Sequence, residues 1–280
     1  MPSLSDYSSK GQFYTILSPE DGQSKKDNLV IVFLHGLGSS SSFHYPVAVK
    51  LANEYTCLLL DHEGAANSKL NRSTLTLEDL SSNLEDVLKE TGLDKKEIIL
   101  AGHSMSGMLI NYINIYDSDK FNIVANVLIC PVHPVPQASD IFQKRIDSLE
   151  GAKSLSQFAN SLPSAATGSK CDNLKKAFIR QLILSQTVDG YVANCRAIIS
   201  GGTYDLANKY SLIKKPTLII CGEEDKTSPW KGGVEIIDKG IQNTRVAEIS
   251  GVGHWLVIEA PEETFKIVSE FIKEFFTEQK

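Results

Sequence analysis

The stretch EIILAGHSMSGMLINYINIY at residues 97–116 joins a short apolar run to a helical pattern through the turn GHSMSG. A strand, a sharp turn and a helix in this order are typical of a nucleophile elbow, which lifts a serine hydroxyl above the carboxyl edge of a sheet. Ser106 stands where the usual G-x-S-x-G pattern has its last glycine. Ser104 is therefore a candidate nucleophile. Because so short a pattern also arises by chance, partners elsewhere in the chain are needed to support it.

Short apolar runs of strand length alternate with helical patterns along the chain. Runs that are apolar on both faces suit buried parallel strands, and five of them read NLVIVFLH, YTCLLLD, EIILAG, NVLICPV and TLIICGE. The clearest helical pattern follows the capping residue Thr76 and places apolar residues three or four apart from Leu77 to Leu88. Alternating β and α units predict an α/β fold, with a mostly parallel sheet covered by helices on both faces.

One segment interrupts this alternation. From Pro131 to Ile213 the chain shows helix-like patterns such as ASDIFQKRIDSL and NLKKAFIRQLILSQ, without a strand run as apolar as those on either side. Prolines disfavour a continuing helix at the entrance and at the exit of this segment. We therefore predict a core of residues 1–130 and 214–280, with an inserted helical cap of residues 131–213.

The charges divide along the same boundary. The 280-residue chain has 28 Lys and Arg against 34 Asp and Glu, a formal net charge of −6. The cap carries nine of the cations and six of the acidic residues, so its net charge is +3 and that of the core is −9. This split is the basis for a prediction that the substrate carries a carboxylate, which Arg145, Arg180 or Arg196 would contact. The alternative is that these charges lie on a solvated helical face.

The composition also narrows the classes of function. Nucleic-acid binding draws its affinity from clustered cations, and no run of Lys or Arg is longer than two, so we expect no nucleic-acid partner. No segment approaches the roughly 20 apolar residues that span a bilayer, and the first residues lack the pattern of a signal peptide. We expect a cytoplasmic protein with no membrane partner. The five cysteines form no C-x-x-C pair, and no metal or cofactor motif is found, so no metal and no cofactor are predicted.

Two further segments supply the groups that a serine nucleophile needs, namely a base, an acid and donors for the oxyanion. Asp225 follows the run TLIICG and His254 lies in GVGHW before the last helix, so the chain order Ser, Asp, His fits. Glu224, beside Asp225, could act as the acid instead. The turn HGLG at 35–38 could aim the amide of Leu37 at the same point as the amide of Met105, forming an oxyanion hole.

Five segments in order resemble the α/β-hydrolases of the small capped type, and the resemblance covers essentially the whole chain. They are HGLG at 35–38, D-x-x-G at 61–64, GHSMSG at 102–107, GEEDKTSP at 222–229 and GVGHW at 251–255. The resemblance implies an α/β-hydrolase fold with a mostly parallel eight-stranded sheet, flanked by helices, and a helical cap inserted after the sixth strand. It also implies Ser104 as nucleophile, His254 as base, Asp225 as acid, and Leu37 and Met105 as oxyanion donors.

Within the family, the end of the cap and the segment up to Pro229 look most like 3-oxoadipate enol-lactonases and related small-ester hydrolases. The chain departs from the family where Glu63 replaces the usual Arg and Ala66 replaces a second Gly. A loop contact is expected to be remade there. Ser106 either is tolerated as a small residue or contributes a hydroxyl to the pocket.

Together these features predict a serine hydrolase that cleaves a carboxylic ester or lactone of a small molecule through an acyl-enzyme. The same triad serves carbon–carbon bond hydrolases and acyltransferases, and a ligand receptor could keep the fold with an idle triad. His133 and Trp255 are further candidates for the substrate pocket, although packing alone would also explain them. His35 and His103 are expected to hold loop structure. A monomer or a homodimer is expected.

Overall fold

The computed structural model describes residues 3–20 and 24–278. Within those ranges eight strands form one sheet in the order β1-β2-β4-β3-β5-β6-β7-β8. The strands are β1 (Ser3–Tyr7), β2 (Phe13–Leu17), β3 (Leu29–Leu34), β4 (Thr56–Leu60), β5 (Glu97–His103), β6 (Ile123–Ile129), β7 (Thr217–Gly222) and β8 (Thr244–Ile249). The pairs β1–β2 and β2–β4 are antiparallel and all others are parallel. The predicted mostly parallel, eight-stranded sheet is confirmed.

The helices of the described residues lie on both faces of this sheet. They are α1 (Tyr45–Leu51), α2 (Leu77–Glu90), α3 (Met105–Tyr116), α4 (Pro136–Ala152), α5 (Ser156–Ala165), α6 (Asn173–Leu184), α7 (Val188–Gly201), α8 (Glu235–Gly240), α9 (Leu256–Glu259) and α10 (Pro261–Glu278). Side chains alternate across a strand, so Ile31 packs toward one face while Val30 and Val32 pack toward the other. Thr76 caps α2, as predicted, in a capping box with Asp79.

The helices α4 to α7 are inserted between β6 and β7, which confirms the predicted position of the helical insertion. Their apolar side chains Ile183 and Tyr191 are buried in the same cluster as Phe33 of β3. The exact boundaries of core and cap at residues 131 and 213 stay a prediction. All five cysteines are free and buried, as expected for small apolar side chains. Among the described helices, none combines the length and apolar character that crossing a bilayer requires.

The sheet register brings the candidate site residues to one edge. Leu34, the last residue of β3, pairs with Gly102 of β5, and His103 pairs with Ile129 at the end of β6. Gly222 at the end of β7 pairs with Ile249. Because the parallel strands end together, the loops that follow β3, β5 and β7 converge at the carboxyl edge of the sheet.

Candidate active site

Ser104 occupies a strained turn between β5 and α3. Its backbone angles are φ 55° and ψ −114°, a conformation that costs a non-glycine residue of the order of 1–3 kcal/mol. Neighbouring backbone holds it in place, since its amide donates to Ile129 (2.9 Å) and its carbonyl accepts from Val132 (3.1 Å). A Cβ on Gly107 would lie only 2.6 Å from Pro131, so the turn also needs a glycine there. The sharp elbow that the sequence predicted is present.

A continuous chain of hydrogen bonds links the three predicted triad residues. The Oγ of Ser104 lies 2.9 Å from Nε2 of His254, and Nδ1 of His254 lies 2.8 Å from Oδ2 of Asp225. The other oxygen of Asp225 accepts the amides of Thr227 (2.8 Å) and Ser228 (2.9 Å). An Nδ1–H that donates to the carboxylate leaves Nε2 free to accept the serine proton. The three side chains are thus arranged for proton transfer from Ser104 to His254.

The structure also distinguishes between Asp225 and the alternative acid, Glu224. Burial by itself would raise the pKa of the Asp225 carboxyl, but the facing His254 and the hydrogen bonds to this carboxylate lower it to about 2. Asp225 is therefore ionised at neutral pH. The carboxylate of Glu224 instead accepts the amide (2.8 Å) and the hydroxyl (2.5 Å) of Ser169 in the cap segment. The geometry favours Asp225 as the partner of His254.

The two predicted oxyanion donors belong to segments that adjoin Ser104. Met105 follows it directly, and the turn that contains Leu37 packs against it, because a Cβ on Gly36 would lie 3.0 Å from the Ser104 Cβ and 2.7 Å from Nδ1 of His103. Within the described part of the chain, the amides of Leu37 and Met105 have no hydrogen-bond acceptor. Unpaired amides next to a candidate nucleophile are what an oxyanion hole requires.

His103 and Trp255 pack around the site. The Nε2–H of His103 donates to the carbonyl of His254 (2.8 Å), and its ring stacks on Phe43 with 4.2 Å between the ring centroids. Burial lowers the pKa of His103 well below its usual value, so the ring is neutral. Trp255 lies buried beside Phe43 and His103. Both side chains support the His254 loop, which agrees with the structural role expected for His103.

A cavity of about 350 Å³ opens between the cap and the loop after Asp225. Its wall includes Val132, His133, Phe142, Arg145, Lys226 and Ser228. His133 lies 2.8 Å from the hydroxyl of Tyr210, measured from Nδ1, and burial lowers its pKa. In the cavity wall, the amide of Val132 donates to the carbonyl of Ser104 (3.1 Å) and the amide of Ser228 donates to Asp225 (2.9 Å). The cavity thus adjoins the segments that carry these two residues. Mixed apolar and cationic walls suit a small organic molecule with a polar group.

Arg145 connects this cavity to the oxyanion turn. Its guanidinium donates to the hydroxyl of Tyr191 (3.2 Å) and lies 5.3 Å from the ring centroids of Phe142 and of Phe158. Tyr191 in turn packs against Gly38, where a Cβ would lie 2.9 Å from the tyrosine ring. No carboxylate of the described residues pairs with Arg145. This cation is therefore available to a ligand in the cavity.

The structure places the other two predicted arginines elsewhere. Arg180 is exposed and donates to Asn160 (3.0 Å) in the neighbouring cap helix. Arg196 pairs with Glu150 (3.0 Å) and donates to the carbonyl of Ser73 (2.7 Å), beside a separate cavity of about 250 Å³. Of the three arginines, Arg145 is the one that lines the cavity between the cap and the loop after Asp225.

Glu63 and Ala66 show how the chain accommodates its departures from the family. Glu63 is fully buried, accepts from the side chain of Asn83 (2.8 Å) and pairs with Arg72 (3.2 Å), so the loop contact is remade around a carboxylate. Ala66 adopts φ 45°, the left-handed conformation that glycine favours. Its amide donates to Gln186 of the cap (3.2 Å), which helps to hold that conformation.

Glu259 is a functional candidate that sequence reasoning missed. Its buried carboxylate accepts the two backbone amides that flank His254 (3.0 Å each) and the amide of Gly168 in the cap (2.7 Å). Burial raises its pKa, and these hydrogen bonds oppose the rise. The amide of His254 donates to the carbonyl of Ala166 (2.8 Å). The cap is therefore bound directly to the His254 loop. A glutamate in a short helix carries no sequence motif that could have indicated this.

Three side chains could in principle approach a metal ion. The Sγ of Cys130 and the ligand atoms of Asp225 and His254 lie within 4.8 Å of one another. Asp225 and His254 already bond to each other, and burial raises the pKa of the Cys130 thiol well above its usual value. A protonated thiol is a poor metal ligand. The expectation of no metal stays a prediction.

Comparisons with known proteins agree with this architecture. Human monoacylglycerol lipase ABHD6 is 25% identical over 260 residues, which cover 86% of this chain and 74% of that protein. An esterase from Thermogutta terrifontis has a TM-score of 0.82 at 17% identity, covering 98% of this chain and 99% of that one. The enol-lactonase from Burkholderia xenovorans LB400 has a TM-score of 0.71 at 20% identity, covering 96% of this chain and 100% of that one.

The two structural matches show that the fold is shared, and at such low sequence identities they show the fold alone. The model of the alpha/beta hydrolase family matches residues 31–267, which is most of the chain and includes all three residues of the hydrogen-bonded chain. The resemblance found in the sequence is confirmed, and this chain belongs to the alpha/beta hydrolase family.

Proposed function

We propose that this protein hydrolyses a carboxylic ester or lactone of a small molecule, with Ser104 as nucleophile. The observation that carries the proposal is the continuous hydrogen-bonded chain from Ser104 through His254 to Asp225. The similarity to lipases and esterases supports an ester bond, and the enol-lactonase neighbour supports including lactones.

In the first half of the reaction, the Oγ of Ser104 attacks the acyl carbon while Nε2 of His254 takes its proton. The amides of Leu37 and Met105 stabilise the negative charge that develops on the carbonyl oxygen. Asp225 holds the Nδ1–H tautomer and stabilises the imidazolium. His254 then gives its proton to the departing alkoxide, which leaves as an alcohol and yields the acyl-enzyme.

In the second half, water replaces the alcohol. His254 takes a proton from this water as the oxygen attacks the acyl carbon, and the same two amides stabilise the second oxyanion. Collapse returns the proton to Ser104 and releases the carboxylic acid. For a lactone the alcohol stays attached to the product, so hydrolysis opens the ring.

Labelling by a fluorophosphonate, followed by turnover of small activated esters and lactones, tests this function. We expect Ser104 to be labelled, and Ser104→Ala to abolish labelling and lower turnover by at least about a thousandfold. Because alanine removes only the hydroxyl, the variant should keep its fold, which circular dichroism checks.

Two results would contradict the proposal. Turnover that survives in Ser104→Ala would mean that another group attacks the substrate. Labelling of Ser104 without turnover on a broad panel of esters and lactones would favour a ligand receptor with an idle triad.

A further inference from the structure

Ser106 stands where the family usually has glycine, and its hydroxyl does not face the cavity. It is fully buried and donates to the carbonyl of His35 (2.5 Å), at the start of the oxyanion turn. The Nε2 of His62 lies 2.7 Å from the same hydroxyl and 3.1 Å from the same carbonyl. Three polar atoms from the first turn of α3 and from two loops therefore meet at one buried point.

The contacts fix the proton positions in this cluster. The hydroxyl of Ser106 donates its hydrogen to the carbonyl of His35, so this hydroxyl can only accept from His62. Nε2 of His62 therefore carries a hydrogen and donates it to Ser106. The backbone amide of His62 donates to Nε2 of His35 (3.0 Å), which makes that nitrogen an acceptor. Nδ1 of His35 then carries its hydrogen and donates to the carbonyl of Gly36 (2.7 Å). Burial lowers the pKa of both rings, which agrees with two neutral imidazoles.

The last of these bonds acts on the oxyanion donor itself. The carbonyl of Gly36 and the amide N–H of Leu37 belong to one peptide unit, which is planar and trans, so the two groups point in opposite directions. When His35 holds the carbonyl, it also sets the direction of the Leu37 N–H. The backbone amide of His62 donates to the ring of His35, and the side chains of Ser106 and His62 donate to the backbone carbonyl of His35. Both the ring and the carbonyl of His35 are therefore fixed.

We propose that Ser106 and His62 are positioning residues for the oxyanion hole, acting through His35 on the peptide that carries the Leu37 amide. This role rests on the proposed function of Ser104 and assigns a purpose to the serine that replaces the elbow glycine. Neither residue contacts the substrate. Their effect is on the direction of a donor that matters most when charge develops in the transition state.

The substitution Ser106→Ala tests the role by removing the hydroxyl alone. Removal of a whole oxyanion donor costs roughly 100- to 1,000-fold in kcat, and here the donor remains but is less well aimed. We expect kcat to fall about tenfold with KM within about twofold, because ground-state binding does not use the donor. The rate of Ser104 phosphonylation by a fluorophosphonate should fall by a similar factor.

Ser81→Ala is the matched control. Ser81 is also fully buried, and its hydroxyl donates to Asp117 (2.6 Å), which follows the last residue of α3 at the end opposite Ser104. Ser106→Ala loses two buried hydrogen bonds between neutral groups, and Ser81→Ala loses one to a carboxylate, which is individually stronger. Both variants should therefore lose thermal stability to a comparable extent. Only Ser106→Ala should slow phosphonylation and kcat. Equal rates in the two variants would overturn the proposed role.

A second variant removes the other side-chain donor to the carbonyl of His35. His62→Phe keeps a ring of similar size but removes the Nε2–H donor. Because Ser106 and His62 act on one carbonyl, the double variant should lose less than the product of the single losses. Combined with Ser81→Ala, His62→Phe should show simple multiplication. Multiplicative losses for Ser106 and His62 would contradict a shared route through His35.

Phosphonylation separates this proposal from the proposed function, since it reports on the serine and its oxyanion donors without substrate turnover. Absence of wild-type labelling would overturn the function of Ser104, and with it the role built on that function. A wild type that is labelled, and a Ser106→Ala variant labelled at the same rate, would overturn the positioning role alone.

Discussion

At the scale of single residues, the acid partner of His254 is decided by where two adjacent carboxylates point. Asp225 and Glu224 follow the same strand and both carry a carboxylate. Only Asp225 bonds to His254, while Glu224 bonds to Ser169. Neighbouring residues in a turn project in different directions, so a local pattern cannot assign the role. The loop amides around Asp225 settle its direction by occupying its second oxygen.

Asp225→Asn should therefore lower kcat by about a thousandfold or more, because an amide disfavours the His254 tautomer that the reaction needs. Glu224→Gln is the control and should stay within about threefold of wild type, since Glu224 contacts the cap. Steady-state kinetics on an activated ester measure both. Comparable losses in the two variants would show that the acid is not assigned correctly.

The lowered pKa of Asp225 also predicts that the free energy of unfolding decreases at acidic pH. Its pKa in the folded protein is about 2, below its ordinary value of 3.8. The ionised carboxylate thus contributes stability that is fully present above about pH 4 and is lost as the pH falls through about 2. The contribution is about 2 kcal/mol. Urea unfolding of wild type and Asp225→Asn between pH 5 and 2 should show a steeper acid loss in wild type.

At the scale of elements, the five strands β3 to β7 could be predicted from apolar runs in the sequence, and β1, β2 and β8, at the two sides of the sheet, could not. The runs in β3, β4, β5, β6 and β7 are apolar on both faces because helices cover both sides of them. β1, with the sequence SLSDY, is exposed along its whole length, and β8 is only partly buried. Their pairing depends on neighbouring strands, so no continuous apolar run marks them.

The link between cap and His254 loop is likewise a property of several elements. Glu259 in α9 bonds to the amides on both sides of His254 and to Gly168 of the cap. These contacts bring together segments more than 80 residues apart in the chain. The loop position of His254 is thus determined partly by the cap.

Glu259→Gln should lower the free energy of unfolding by about 1–3 kcal/mol, since an amide side chain cannot accept all three hydrogen bonds. It should also lower kcat, because the His254 loop loses its support. Glu262→Gln is the matched control, because it removes an exposed ion pair with Lys50. It should change the free energy of unfolding by less than about 1 kcal/mol. Chemical denaturation and kinetics on both variants check this. A stable Glu259→Gln with full kcat would argue against the support.

At the scale of the whole molecule, the cationic cap and the acidic core meet at the cavity next to the loop after Asp225. The net charges of +3 and −9 are spread over many exposed residues, so total charge does not identify the cation that contacts a ligand. The tertiary packing determines which arginine can contact a ligand. Arg145 lines the cavity, whereas Arg180 is exposed and Arg196 pairs with Glu150.

If the substrate carries a carboxylate, Arg145→Gln should raise KM for anionic esters about tenfold while leaving KM for neutral esters of the same length unchanged. Arg180→Gln is the matched control, with no expected change for either series. The ratio of the two KM values is the measurement. An equal effect of Arg145→Gln on both series would remove the case for an anionic substrate.

The sequence by itself determined the alternation of strands and helices, the position of the cap and the identity of Ser104, Asp225 and His254 as candidates. Those features depend on local patterns, namely apolar period, glycine turns and the order of polar residues along the chain. Only the tertiary structure decided which carboxylate faces His254, which arginine reaches the cavity, and that Ser106, His62 and Glu259 hold the loops of the site. These contacts join segments tens of residues apart, and their geometry depends on how separate loops pack at one edge of the sheet.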